Sequence, residues 1–140
     1  MVTEAITGCR PNLLVTDLDG SLRFYAERLG FHVGWHWSDR RGRFFDKGED
    51  AEPGEPGTAI VSRDGVQLLL TQLDGPRGTW LLFDVPTADQ VDALFQEWTE
   101  RGAVITEPPS LRPWGVYEMR LADPDGHVLR VGSPPHASTG

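Results

Sequence analysis

Cysteine is almost missing from this chain: its 140 residues hold one, Cys9. A single thiol cannot close an intrachain disulfide, and it excludes a metal cluster built on cysteines. Lysine is as scarce, with Lys47 the only one among 13 basic residues, so the cationic side chains are almost all guanidiniums. Positive charge is in deficit: 21 acidic residues bring the formal net charge to −8. That balance argues against nucleic acid and anionic membrane surfaces as partners. No apolar run approaches the roughly 18 residues of a membrane span. The opening Met1-Val-Thr-Glu-Ala lacks the basic and apolar regions of a secretory signal, so a reducing cytoplasm is the expected location. Neither a Gly-rich phosphate loop nor a Ser-His-Asp pattern is found.

What the chain does have is one sequence unit twice. The first copy runs from about Arg10 to Gln72, the second from about Trp80 to Gly132. Each opens on an apolar run, Asn12-Leu-Leu-Val15 and Trp80-Leu-Leu-Phe83. Each continues into an amphipathic helix ending at a glycine, Gly30 and Gly102, and closes on a hairpin with Asp-Gly in its turn, Asp64-Gly65 and Asp125-Gly126. Leu18, Leu22, Tyr25, Ala26 and Leu29 recur at helical spacing, as do Val91, Leu94, Phe95 and Trp98. Thr87 and Gln90 fit a capping box. Phe31–Trp37 reads as an aromatic-rich strand. Ser38–Gly57 reads as a flexible polar loop with a short strand near Arg43–Asp46. Ala103–Thr106 is a short strand, Glu107–Gly115 a Pro-rich loop, and the tail after Gly132 frays.

The pattern per copy is βαβββ. Units that cannot bury their own faces must pair. The expected fold is therefore α+β, two tandem modules forming a concave, partly open barrel-like sheet with helices outside. All of 1–140 is a single domain, with module one at about 10–72, a linker at 73–79 and module two at about 80–132. Strand alternation assigns the faces. With Leu13, Val15, Phe83 and Val85 on the helices, Arg10, Asn12, Leu14, Trp80, Leu82 and Asp84 face a cavity, joined by Gln67, Leu69, Val128 and Arg130. Trp35, Trp37, Trp114 and Tyr117 add aromatic surface, whereas Trp98 belongs to the core. Such an apolar trough with a few polar groups and two arginines suits a planar or conjugated ligand, including one with an anionic group, and each stacked ring adds roughly 0.5–1.5 kcal/mol beyond its buried area. The competing roles are packing for Trp80 and Trp114, a subunit interface for Trp35 and Trp37, and solvation or pairing with Asp84 for Arg10 and Arg130. Cys9 reads as a small buried or edge residue. His32 and His36 share a strand face but sit too far apart to chelate comfortably, and His127 follows a turn glycine, where surface residues are usual.

Three stretches resemble the vicinal oxygen chelate superfamily of glyoxalases, extradiol dioxygenases, fosfomycin resistance enzymes and bleomycin-binding resistance proteins. They are Val15-Thr-Asp-Leu-Asp-Gly-Ser-Leu-Arg-Phe-Tyr-Ala-Glu-Arg-Leu-Gly-Phe31, Trp80-Leu-Leu-Phe-Asp-Val85, and Pro113-Trp-Gly-Val-Tyr-Glu118 with Ala122-Asp-Pro-Asp-Gly-His127. The resemblance implies metal ligands, His or Glu, at the start of each opening strand and near the end of each closing strand. This chain carries Arg10, Trp80, Leu69 and Arg130 there. Two guanidiniums, an indole and an isobutyl group are not ligands for a dication, so neither metal nor cofactor is expected.

The branch it most resembles is the metal-free, bleomycin-resistance-like one. The implied function is binding of a small molecule, an antibiotic or a metabolite, by sequestration, with no catalytic residue. The implied ligand is aromatic or cationic, the implied assembly a homodimer. The binding set is Arg10, Asn12, Trp35, Trp37, Gln67, Leu69, Trp80, Leu82, Trp114, Tyr117 and Arg130. The alternative is a glyoxalase-like lyase or isomerase, or a dioxygenase-family enzyme with an atypical site. There, Asp84, Glu118 or His127 would move a proton, a carboxylate doing so through a raised pKa in an apolar trough.

Overall fold

The apolar runs that open each copy become edge strands, and the helical repeats lie across the sheets they belong to. A computed structural model of the chain describes residues 8–45, 55–75 and 77–136. Module one is β1 (Asn12–Val15), α1 (Leu18–Arg23, continued by a π-helical turn over Phe24–Arg28), β2 (His32–Ser38), β3 (Arg43–Phe45), β4 (Gly57–Arg63) and β5 (Val66–Gln72). Module two is β6 (Trp80–Asp84), α2 (Ala88–Glu100), β7 (Ile105–Leu111), β8 (Tyr117–Ala122) and β9 (Val128–Ser133). Part of the Ser38–Gly57 loop, residues 46–54, lies outside the described residues.

The two sheets have one topology. Their strand orders are β1-β5-β4-β2-β3 and β6-β9-β8-β7, with β1 parallel to β5 and β6 parallel to β9. Only β3 is extra. The α+β fold from two βαβββ modules holds, and the sheets stay separate instead of closing into a barrel. Gly30 and Gly102 end their helices at positive φ, +72° and +88°, where a side chain would be strained. The capping box on α2 is made: the Gln90 amide N–H donates to the Thr87 hydroxyl, and the Thr87 N–H donates to the Gln90 side chain.

Leu13, Val15, Leu68 and Leu70 of one sheet join Met119, Leu121, Leu129 and Val131 of the other, with Tyr25, Val91 and Trp98 from the helices, in one continuous core. Burying each such aliphatic side chain contributes about 1.5–3 kcal/mol. Polar ties cross the same boundary. The Trp98 indole donates to the Leu29 carbonyl (3.2 Å), and Arg63 grips Glu97 with two nitrogens (2.6 and 2.9 Å). Tyr25 donates to the Asp123 carboxylate (2.9 Å). Thus the helix-side faces of both sheets are consumed by one core, and their other faces are left open.

Three expectations change. The Pro-rich segment Glu107–Gly115 is not all loop, because β7 runs through Pro108 and Pro109. It is the outer strand of its sheet and its register slips twice, between Ile105 and Glu107 and between Glu107 and Ser110, which accommodates residues that cannot donate to a ladder. His32 and His36 do not share a face: a register shift between Val33 and His36 places His32 opposite Ser62 and His36 opposite Ala59. Cys9 is exposed, ahead of the edge strand β1, so of the two readings the buried one is removed.

Candidate functional site

Alternation along β6, β9 and β8 brings Trp80, Leu82 and Asp84, then Val128 and Arg130, then Glu118 and Arg120 onto the open face of module two. Trp80 is 57% exposed and Trp114, in the β7–β8 loop, 56%, so two large rings stand in water. Arg120 serves both: its guanidinium carbon lies 5.2 Å from the Trp80 ring centre and 5.8 Å from that of Trp114. Cations within about 6 Å of an indole are attracted by its quadrupole.

Beneath the rings lies Glu118, fully buried. Arg130 binds it in a fork, Nε to Oε2 at 2.8 Å and Nη2 to Oε1 at 2.9 Å. Arg120 donates to it at 3.0 Å and the Trp114 indole N–H at 3.2 Å. Those donors, Arg130 foremost, pull its carboxyl down to about 2 against the opposing effect of burial. Glu107 extends the network by accepting from Arg112 (3.1 Å) and Arg120 (3.5 Å). Gly132 forms part of the floor. A Cβ there would stand 2.9 Å from Val116 and 3.2 Å from Leu82, so a side chain at this position would push that floor apart.

The open face of module one is different. Trp37 and Trp35 both set an edge against Phe44, at 4.9 and 5.5 Å between ring centres. Beside them Thr58 and Thr71 exchange a hydroxyl hydrogen bond (2.9 Å), and the Thr71 hydroxyl also lies 2.9 Å from the Asn12 amide oxygen. Leu69 is half-buried and Gln67 exposed on the same strand, and Arg10 is exposed ahead of β1.

The expected binding set therefore splits. Trp80, Leu82, Trp114 and Arg130 come together on module two; Asn12, Trp35, Trp37, Gln67 and Leu69 lie on module one. Among the described residues no hydrogen bond, ion pair or ring contact joins one group to the other. Tyr117 belongs to neither. Its place on β8 is one off from Glu118, so it turns toward α2 and donates to Asp92, and burial followed by that bond raises its phenol to about 12. Arg130 pairs with Glu118, not Asp84. Asp84, at the end of β6, also lines a cleft of about 220 Å³ with Phe31, Arg63, Phe83, Leu94 and Trp98.

Two proton-transfer candidates are corrected. Glu118 has a depressed pKa, the opposite of what a neutral-pH base requires. His127 is fully buried, not on the surface. Its Nδ1 accepts the Thr79 backbone N–H (3.0 Å), so the proton sits on Nε2, 2.8 Å from the Leu14 carbonyl. Both nitrogens are spent, one tying the final hairpin to the residue before β6 and the other tying it to β1. Arg130 is locked to Glu118, Trp80 carries a cation on its face, and the side chains of Leu69 and Arg10 offer no lone pair to a dication, so the residues at the family positions do not fit a metal ion. Sequence reasoning left Glu107, Arg112 and Arg120 out. Extending the alternation to the middle strand β8 would have placed Arg120 beside Arg130.

Comparison with known proteins points the same way as the geometry. The sequence pattern of the Glyoxalase family (Glyoxalase/Bleomycin resistance protein/Dioxygenase superfamily) matches residues 9–131. The chain is 34% identical over 59 residues to the phenazine antibiotic resistance protein EhpR of Enterobacter agglomerans, covering 40% of this chain and 45% of that one. It is 23% identical over 124 residues to the uncharacterized protein YraH of Bacillus subtilis (strain 168), covering 85% and 91%. Its fold superposes on TnmS3, an antibiotic binding protein from Streptomyces sp. CB03234, with a TM-score of 0.69 and 25% identity, covering 94% of this chain and 99% of that one. The repeated βαβββ topology and the match over nearly the whole chain carry one conclusion: this protein belongs to the glyoxalase/bleomycin resistance protein/dioxygenase superfamily.

Proposed function

We propose that the protein binds a small planar molecule, an antibiotic or a metabolite, on the open face of module two and protects by sequestration, without a metal. The observation that carries this reading is the pair of exposed indoles, Trp80 and Trp114, poised over a buried carboxylate that two arginines hold ionised. Exposed rings on a rigid sheet supply stacking area at little conformational cost. The names of EhpR and TnmS3, a resistance protein and an antibiotic binding protein, support the same class of role.

The test is tryptophan fluorescence during titration with a panel of phenazines and other planar antibiotics, with metal analysis of the purified protein and recovery of the ligand afterwards. Quenching with the ligand recovered unchanged is the expected result, and Trp80→Ala should weaken binding by about 1–3 kcal/mol. Stoichiometric metal together with a converted ligand would instead establish the enzyme alternative.

The second part of the reading is a homodimer. Phe44 on module one is as exposed as the rings of module two, Val33 and Trp35 are partly so, and each open face by itself gives a ligand only one wall. A second copy laying its module-one rings over this module-two face would complete the site. The expected outcome is a dimer by light scattering at micromolar concentration and weaker ligand binding in Trp35→Ala. A monomer in which Trp35→Ala binds normally would reject this part alone.

A further inference from the structure

We infer that the open face of module two selects a planar aromatic anion, its ring against Trp80 and Trp114 and its carboxylate or phenolate toward Arg112, Arg120 and Arg130. This rests on the binding reading above and narrows its ligand class. The hydrogen-bonded charges on this face are three guanidiniums and two carboxylates. Arg130 and Arg120 share Glu118; Arg120 and Arg112 share Glu107. Asp84, the third acidic residue on the face, is exposed at the far end of β6 in the cleft beside Arg63 and Asp64. The network therefore carries an uncompensated positive charge.

Arg112 is where that excess sits. Its Nη1 donates to Glu107, but its Nε and Nη2 are buried without an acceptor among the described residues. Buried donors left unmade are costly, and a guanidinium does not shed its proton to escape. The side chain is 15% exposed through its other atoms, while Nε and Nη2 themselves are closed to solvent, so an arriving anion completes them by displacing a neighbouring side chain. Arginine's planar fork suits that acceptor, since it matches a carboxylate with two parallel bonds.

A cationic ligand meets the reverse. Both indoles already hold the Arg120 guanidinium, and the carboxylates beneath them, Glu107 and Glu118, are already paired. The chain's net charge of −8 points toward cations. Exposed charges beyond about 8–10 Å are screened, so at contact distance the local balance decides.

Three matched probes test this: anthracene-2-carboxylate, anthracene-2-carboxamide and 2-(aminomethyl)anthracene, titrated by tryptophan quenching and calorimetry at low and high salt. The carboxylate should bind roughly tenfold tighter than either of the others, with the margin shrinking in high salt. Arg112→Gln should bring the carboxylate to the affinity of the amide and leave the amide unchanged. If that variant fails to fold, the wild-type series and its salt dependence decide. Equal or tighter binding of the ammonium probe, or a carboxylate preference that survives in Arg112→Gln, overturns the inference. The binding reading stands in that case if Trp80→Ala still weakens all three probes. No quenching by any probe removes both.

Discussion

On module one the open sheet face is finished with rings and hydroxyls; on module two it is finished with ion pairs. The same strand order underlies both. On the first, Trp35, Trp37 and Phe44 pack edge to face beside a Thr58–Thr71–Asn12 relay. On the second, Arg112, Arg120 and Arg130 divide Glu107 and Glu118 between them under two exposed indoles. The reverse faces are alike, each an aliphatic layer ending in the shared core. The lesson is that a duplicated unit keeps in common what packing dictates. Positions facing water are free of that constraint, and the two copies part there.

The largest expected effect tests whether that core is one body. Trp98 is 2% exposed and reaches across to Leu29, so Trp98→Ala should cost about 3–5 kcal/mol through cavity formation and a lost tie. Thermal unfolding should remain a single transition at lower temperature. Two transitions would mean that the modules are stabilised separately and would break the comparison at its base.

Glu118→Gln comes next and tests what the ion pairs contribute to the open face of module two. It should cost about 1–3 kcal/mol at neutral pH, because two guanidiniums lose a charged acceptor. A carboxyl held down to about 2 in the fold, against 4.5 ordinarily, stabilises above the higher value and stops stabilising as pH falls through the lower. The stability gap between wild type and Glu118→Gln should therefore close between about pH 4.5 and 2. A gap unchanged across that window, measured by urea denaturation, would show that the charge is not what holds this face.

The smallest effect compares the helices. Thr87→Ala should cost about 1 kcal/mol by removing the α2 cap. Asp17 stands at the same point of α1 with no side-chain cap bond, so Asp17→Ala should cost no more than about 0.5 kcal/mol. Equal costs in denaturant melts would mean that the two helix starts are equivalent after all.

Much of this was legible in the chain. Period-two runs, the two Asp-Gly turns, the helix-ending glycines and the capping box are local signals with local causes, and each is found in place. Alternation correctly put Trp80, Leu82 and Arg130 on one face, because both strands are regular there. It misplaced Tyr117, whose facing is fixed by β8's pairing with β9, and it paired the two histidines of β2, because a register shift between them leaves no local mark. Pro108 and Pro109 read as loop because the sequence could not tell that β7 is an outer strand.

The sequence by itself determined the repeat, the strands and helices of each copy, and the absence of metal ligands where related enzymes carry them, since these follow from side-chain type and spacing along one chain. Only the tertiary structure decided that the two sheets share one core. It alone decided that Glu118 lies buried between Arg120 and Arg130, and that Arg112 keeps donors to spare. The physical reason is distance. Ion pairs join residues brought together by strand pairing and by slips in its register, and neither spacing nor composition records which guanidinium ends beside which carboxylate.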